Sequence, residues 1–465
     1  MDVAAVDLTI RPALHGSPPA AWDGAVWVGE VRVDAVDSVD RIGRSRELPV
    51  RCRLQEAQGY NRARLLVRAD ARPLGFVEVN VTDGRVAFTE LMRRVADVRA
   101  RSRHNSPVPV GHVGARRPRG QQTVAVTVVL CTRDRVSMLQ TALESVLAVD
   151  YPDFETIVVD NAAKTDASRK YVLGLNEPRV RVIDEPRPGL SRARNAGLLA
   201  AKGDIVAFTD DDVVVDRYWL RALINGFALG TSVSCVTGIV PAGEIRTPAQ
   251  AYFDRRVGWS DSTEARVFDW TQPPRDVPLF PFAVRCYGTG ANFAVDRDVV
   301  LRLGGFDEAL GAGSPTGGGE DIDMFFRILR AGRQLVHDPA AIVWHRHRAD
   351  NEGLVAQTRG YRLGLGAWLG KIAFDREVAT LAVRTAARHG PTFVRHVRAA
   401  SDVSEPRANL ATLLPPDVDS AIWRLIINGI RAYRSARREG RSPEPLLTAI
   451  RRLPSEIPTN QAGAS

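Results

Sequence analysis

The sequence predicts an α/β fold with a doubly wound, largely parallel sheet, and three observations carry that prediction. Val124–Leu130 is a near-continuous apolar and β-branched run, as in a strand buried on both faces. Beyond it, short apolar runs alternate with stretches of helical periodicity, the pattern of βαβ units. Three runs end in polar or acidic residues: Cys131-Thr132-Arg133-Asp134-Arg135, Asp160-Asn161 and Asp210-Asp211-Asp212. Ligands of open α/β sheets bind beyond the carboxyl ends of the strands, so these ends belong to one site.

In chain order, residues 1–101 form a small β-rich module. Ala25–Val33 and Arg64–Arg68 have strand composition, Gly75–Val81 alternates at a period of two, and Asp70-Ala71-Arg72-Pro73 reads as a hairpin turn. The module shows no acid/base pair or ligand spacing. Residues 102–122 are rich in Pro, Gly and Arg without periodicity and read as a linker. The α/β domain spans 123–355. Within it, Ser137–Val149 sets Met138, Leu139, Ala142, Val146 and Val149 at helical spacing. Strands at Glu155–Val159 and Arg179–Ile183 follow, then a helix at Ser191–Ala201 and the strand that leads into the three aspartates. Residues 356–453 are expected to be helical, with Gly360–Ile372, Val378–Ala400 and Ala421–Arg438 as segments. The last is basic and amphipathic, with apolar Ile422, Trp423, Leu425, Ile426, Ile430 and Tyr433. It reads as a packing helix, with peripheral contact to an anionic membrane as the alternative. Residues 454–465 are expected to be a disordered tail.

A chain of 465 residues calls for two or three domains, and 45% hydrophobic residues supply a large core. The net charge of +9 is carried almost wholly by arginine, the lysines being Lys164, Lys170, Lys202 and Lys371. That balance suits sugar diphosphates, lipid phosphates or an acidic membrane surface. Neither a base-stacking aromatic platform nor zinc-finger spacing is present, which argues against nucleic acid as a partner. Cys52, Cys131, Cys235 and Cys286 form no CxxC pair, as expected for a reducing cytoplasm. The N-terminus lacks signal-peptide character, and no run reaches the ~20 apolar residues of a membrane span.

Adjacent carboxylates at a strand tip repel one another unless a divalent cation or solvent offsets the charge, so the triple aspartate is either a metal site or an acidic turn. Asp160 is either a cap or a nucleotide contact. The chain has no GxGxxG after its first strand and no GxxxxGK[ST], which excludes the usual dinucleotide and P-loop cradles. Ser191 suits an N-cap, which would put Arg192, Arg194 and Asn195 near a helix-terminal anion site. Gly317-Gly318-Gly319 offers a flexible approach to Glu320-Asp321, where acids opening a helix either cap it or supply a base. His345 and His347, at i and i+2 of an extended segment, share a face that suits metal ligation by at least one of them.

Together these residues resemble the family-2 inverting glycosyltransferases of GT-A fold. The matching pieces are Cys131–Arg135, Val158-Val159-Asp160-Asn161, Ala193-Arg194-Asn195-Ala196-Gly197, the Asp-rich motif, Gly290-Ala291-Asn292-Phe293, Gly304-Gly305-Phe306-Asp307-Glu308 and Gly319-Glu320-Asp321, over about 123–348. The resemblance implies a GT-A sheet of mixed and parallel strands and a UDP-, GDP- or dTDP-sugar donor. Thr132, Arg133, Asp134 and Asp160 would contact its nucleoside, and Asp210 and Asp211 would line that site. Arg192, Arg194 and Asn195, from their place near the helix-terminal anion site, are expected to join the donor site. Asp212 and His345 would ligate Mn2+ or Mg2+, Asp321 would be the general base, and Glu320 would contact the acceptor. The acceptor would be a glycan, a lipid-linked molecule or a small molecule, handled in the cytoplasm or on the inner face of the membrane. Three other readings stand beside it. They are a nucleotide-sugar binding protein without turnover, a nucleotidyltransferase (whose Gly-rich first loop is absent here), and a scaffold centred on the N-terminal module.

Overall fold

The structure, a computed structural model, describes residues 5–104, 124–230, 232–401 and 422–438. The N-terminal module contains β1 (Val6–Ile10), β2 (Trp27–Arg32), α1 (Val33–Arg46), β3 (Val50–Leu54), β4 (Arg62–Ala69), β5 (Arg72–Asn80), β6 (Arg85–Val86) and α2 (Phe88–His104). Its strands form two three-stranded sheets, β1-β3-β6 and β2-β4-β5. The expected hairpin is present between β4 and β5, turning at Asp70 with φ 52°. The two helices were not anticipated, and α2 runs through residues 102–104, where a linker was expected. From 105 onward that linker lies outside the described residues, as does the tail at 454–465.

The central domain contains β7 (Val126–Thr132), α3 (Val136–Leu147), β8 (Phe154–Asn161), α4 (Ala167–Gly174), β9 (Val180–Glu185), α5 (Leu190–Ala200), β10 (Ile205–Asp210) and β11 (Val213–Val215). It continues with α6 (Trp219–Gly226), β12 (Val233–Ile239), α7 (Pro248–Val257), β13 (Arg266–Phe268), β14 (Asn292–Asp296), α8 (Arg297–Arg302), α9 (Glu320–Arg330) and β15 (Gln334–His345). The sheet order is β11-β15-β12-β14-β10-β7-β8-β9, with β13 beside β15. β10, β7, β8 and β9 are parallel, and β14 runs antiparallel to both β10 and β12. The sheet is therefore mixed.

Alternation along β7 divides the core. Val126, Val128 and Leu130 pack with Leu139, Leu143 and Val146 of α3 and Trp219 and Leu223 of α6. Val129 and Cys131 face the other way, toward Ala193 and Leu198 of α5 and Phe325, Ile328 and Leu329 of α9. Burying both faces explains the unbroken apolar run in the sequence, each large side chain contributing about 1.5–3 kcal/mol. Register brings the strand ends level, with Asp210 beside Cys131 and Thr132 beside Asp160.

After the sheet come α10 (Asn351–Ala373), α11 (Arg376–Ser401, kinked at His389) and α12 (Ile422–Arg438). Small residues let α10 approach closely on two sides. A Cβ on Gly364 would lie 2.4 Å from the Gly318 carbonyl carbon, and one on Gly429 of α12 would lie 2.2 Å from the Leu363 carbonyl oxygen. Gly317-Gly318-Gly319, expected to provide flexibility, therefore provides a close approach. α12 packs on α10, with Tyr433 and Ala436 buried.

The same alternation joins the N-terminal module to the central domain. Leu65 and Val67 of β4 fill the module's own core, whereas Leu66 on the opposite face packs with Ile342, Trp344 and Phe253. Arg64 and Arg68 flank Leu66 on that face and pair with Asp254 at 2.7 Å and Asp216 at 2.6 Å. Removing one partner of a buried pair strands the other charge in low dielectric. Arg68→Met is expected to lower unfolding free energy by about 3–5 kcal/mol, measured as a shifted urea midpoint at constant slope.

Candidate active site

The site is built where the strand ends align. Thr132, the last residue of β7, is buried and donates its hydroxyl to Asp211 Oδ2 at 2.8 Å. Arg133 and Asp134 lie on the exposed turn that follows, where Asp134 accepts the backbone N–H of Lys164 at 2.9 Å. Asp160 is 5% exposed, and its Oδ1 has no hydrogen-bond partner. Burial, with Asp184 and Asp134 nearby, raises its carboxyl to about 6. A buried, unpartnered carboxylate oxygen at a strand end is an acceptor awaiting a donor, as the hydroxyls of a ribose or the N–H of a base would be.

The three aspartates occupy different environments. Asp210 closes β10 and remains partly exposed, and burial raises its carboxyl to about 6 despite Arg194. Asp211 is raised by burial and by Asp212, against Arg135 at 2.8 Å. Asp212 is held well below the usual carboxylate range. Burial pushes it up, but His345, Arg348 and Arg135 outweigh that effect. Its Oδ2 accepts from Arg348 at 3.1 Å and Arg135 at 3.3 Å, and its Oδ1 faces His345 Nε2 at 3.4 Å.

His345 is placed by pairing of β15 with β11, which sets it opposite Val213. Its Nδ1 lies 2.8 Å from His347 Nδ1. His347 is fully enclosed, and burial pushes it down to about 4, so its ring is neutral near pH 7. Among the described residues no three His, Cys, Asp or Glu side chains converge on one metal position. Asp212 and His345 do supply two donors whose 3.4 Å separation one hard cation with bonds of ~2.1 Å can span.

Arg194 is 2% exposed and lies behind these acids. It donates to Glu320 Oε1 at 3.0 Å, to the Gly290 carbonyl at 2.8 Å and to Asp210 at 3.4 Å. Glu320 is itself buried, and burial together with Asp321 raises it to about 7. Asp321, in the first turn of α9, is more open. Its Oδ2 accepts the Gly290 N–H at 2.8 Å and its Oδ1 accepts the N–H of Ile322 at 2.8 Å.

Several residues fall elsewhere than the sequence suggested. Ser191 is not the N-cap of α5. Gly189 occupies that position at φ 141°, and Ser191 donates to the Leu310 carbonyl instead. Asn195 spends its side chain on both backbone groups of Phe306. Arg192 pairs with Glu308 at 3.0 Å. The expected anion site is thus a bracing layer, with Arg194 and Asn195 enclosed. Glu320 likewise is buried and spends Oε1 on Arg194, so it braces the site rather than facing an acceptor. Arg135 and Arg348, which pair with Asp212, were missed as site residues, although Arg135 stands within the Cys131–Arg135 motif and Arg348 directly follows His347. Asp254 was missed because nothing near it in sequence marks it.

An acidic, arginine-braced edge lies at the carboxyl ends of a mixed α/β sheet, the place where open sheets of the doubly wound class bind their ligands. Residues 127–289 match the family model described as glycosyl transferase family 2. It is 29% identical over 247 residues to the pre-mycofactocin glycosyltransferase of Mycobacterium tuberculosis, covering 53% of this chain and 48% of that protein. It is 26% identical over 249 residues to the glucosyl-dolichyl phosphate glucuronosyltransferase of Haloferax volcanii, covering 51% and 75%. The chain thus spans about half the length of the mycobacterial relative. Among solved structures, the mannosyltransferase of Pyrobaculum calidifontis in complex with GDP-Man and Mn2+ superposes with a TM-score of 0.41 at 19% identity, over 76% of this chain and 84% of that one.

Glu320 yields a pH signature. Its folded value lies above its ordinary one, so its stabilising contribution is complete below about 4.5 and is lost as pH rises through about 7. Glu320→Gln removes that dependence. The difference in chemical-denaturation midpoint between Glu320→Gln and wild type is expected to move in favour of the variant from pH 4.5 to pH 8. An unchanged difference would mean that Glu320 is ionised across that range.

Proposed function

We propose that the central domain transfers a sugar from a nucleotide-sugar donor to an acceptor hydroxyl with inversion, Asp321 serving as general base. The observation that carries this reading is the contrast between two adjacent acids. Glu320 is enclosed with Arg194, whereas Asp321 is part-exposed and aimed by the Gly290 N–H. A base must be accessible to the proton that it takes and held in position, and Asp321 meets both conditions. The family-model match over residues 127–289 and the named activities of the relatives support the transferase class.

The chain's own groups divide the work. Asp160, with Thr132, Arg133 and Asp134 above it, would receive the nucleoside, its free Oδ1 accepting from the ribose or base. Asp210 and Asp211 would border the donor. Arg194 and Glu320 fix the Gly290 backbone, which in turn fixes Asp321. Asp321 takes the proton of the acceptor hydroxyl, and the oxygen displaces the nucleoside diphosphate in one step, so the anomeric configuration inverts. Asp212 Oδ1 and His345 Nε2 fit Mn2+ or Mg2+, which when bound would stabilise the departing diphosphate. The acceptor would be a glycan, a lipid-linked molecule or a small metabolite, with the protein at work in the cytoplasm or on the inner membrane face. Among the described residues no helix is long and apolar enough to cross a membrane.

A thermal-shift screen of UDP-, GDP- and dTDP-sugars with Mn2+ identifies the donor, since a ligand of the folded state raises its stability. With that donor, Asp321→Asn is expected to lose transfer and donor hydrolysis by roughly 10²–10⁴-fold while binding the donor as wild type does. Near-normal turnover would overturn the base assignment. Asp212→Ala is expected to abolish the Mn2+-dependent part of donor binding in the same titration. Metal-dependent donor binding with equal, negligible turnover in wild type and Asp321→Asn would point to a binding protein.

A further inference from the structure

Two aromatic side chains from distant segments meet beside the acids of the site and keep part of their surface open. Gly258 ends α7 at φ 60°, and the turn delivers Trp259, whose carbonyl accepts the N–H of Val240 at 3.1 Å. Its half-buried indole stands edge to face with the buried ring of Phe253 at 5.4 Å and with the imidazole of His345 at 5.8 Å. Tyr361 comes from α10, on the turn that packs against the glycine loop. A Cβ on Gly360 would lie 3.0 Å from the Gly317 carbonyl oxygen, and one on Gly319, just before Glu320 and Asp321, would lie 2.7 Å from the Gly364 carbonyl oxygen. The Tyr361 ring lies 6.0 Å from Phe253 and 6.1 Å from Trp259. Burial, and after it the charges of Asp321, Asp210 and Asp212, pushes its phenol well above the ordinary value, against a hydrogen bond from Gln357 at 3.2 Å. Yet 42% of the residue is exposed. A side chain surrounded by protein and still open to solvent lines a cleft.

We propose that Trp259 and Tyr361 form the acceptor subsite, a stacking platform for a neutral pyranoside, so that the transferred sugar is added to an existing sugar. The inference rests on the transferase reading of the site and names its acceptor class. One face of a pyranose ring is a patch of C–H bonds, while its rim carries hydroxyls. The negative face of an aromatic ring attracts such C–H groups, and a rim hydroxyl stays free to meet a base. Position agrees with that role. Tyr361 stands on the helix that supports the Asp321 loop, and Trp259 stands against His345, so the platform runs from the proposed base to the proposed metal ligand. The acids nearest Tyr361 repel an anionic acceptor such as a sugar phosphate. A long aliphatic acceptor would need a continuous apolar wall, whereas these two rings are bordered by carboxylates and an imidazole. A few polar groups set among aromatic side chains suit a ligand that is apolar on one face and polar at its edge.

Saturation-transfer difference NMR on the full chain, with UDP or GDP and Mn2+ present, tests the platform. The probes are methyl β-D-glucopyranoside, methyl α-D-mannopyranoside and methyl β-D-galactopyranoside, with glucose 1-phosphate and octanol as controls. At least one glycoside is expected to receive saturation at its ring C–H protons, and the controls none. That signal is expected to be lost in Tyr361→Ala and kept in Tyr361→Phe, which preserves the ring. In transfer assays Tyr361→Ala is expected to raise the KM for the same glycoside about tenfold without moving the affinity for the nucleotide and Mn2+. Trp259→Leu is expected to lose the signal as well; should it not fold, the Tyr361 pair of variants decides alone. No saturation of any glycoside, or equal saturation in wild type and Tyr361→Ala, would overturn the proposal. Equal loss in Tyr361→Phe would also overturn it, since the phenol hydroxyl and not the ring would then be responsible. Glycoside binding that depends on Tyr361 in a protein that consumes no donor would uphold the platform and overturn the transferase reading. Transfer to glucose 1-phosphate or octanol, equal in wild type and Tyr361→Ala, would do the reverse.

Discussion

Asp210, Asp211, Asp212, Glu320 and Asp321 crowd one edge of a sheet, where low dielectric magnifies their repulsion, and the rest of the site depends on how that charge is held. Guanidinium groups set among the acids hold it. Arg194 is enclosed between Glu320, Asp210 and the Gly290 carbonyl, while Arg135 and Arg348 converge on Asp212. Arginine suits the task because it stays charged when buried and presents several donors in a fixed plane. The balance differs from acid to acid. Asp212 is held ionised, whereas Glu320, with burial and a neighbouring acid against it, is raised to about 7. Asp210, two positions from Asp212, is raised to about 6 by burial, so carboxylates of one residue type acquire distinct chemical characters from their surroundings.

The same arrangement links distant parts of the chain. Arg194 fixes the Gly290 backbone, whose N–H aims Asp321. Gly318 and Gly364 lie in backbone contact, so α10 rests directly on the loop that delivers Glu320 and Asp321. Lys371 of α10 bridges Asp307 and Asp323 at 2.8 Å, and Tyr433 of α12 donates to Asp307 at 3.0 Å. The C-terminal helices therefore brace the helix that carries Asp321, the proposed base, and the N-terminal module packs on the central domain through Arg64 and Arg68.

The sheet and its polar edge were legible because their signals are local. A strand buried on both faces must be apolar throughout, and the residues just beyond it are free to be acidic, so Val126–Thr132, Asp160 and the three aspartates stood out. The helices of the N-terminal module were missed because their apolar residues are sparse, and α1 has Arg32 as its N-cap with no side-chain capping bond. Ser191 was misplaced for a related reason. A serine before a helical run resembles a cap, but Gly189 can take φ 141°, and the loop from Phe306 to Gly311 claims the serine hydroxyl.

By itself, the sequence determined the sheet, the edge at which the chemistry gathers and the set of acids and histidines gathered there, since each is encoded in a run of neighbouring residues. Only the tertiary structure decided which of those residues are open and which are enclosed. Arg194 and Asn195 face Glu320 and Phe306 more than 100 positions away, and Arg64 meets Asp254 across 190 positions. Burial and ion pairing depend on what the fold places opposite a side chain, and no local pattern records that partner.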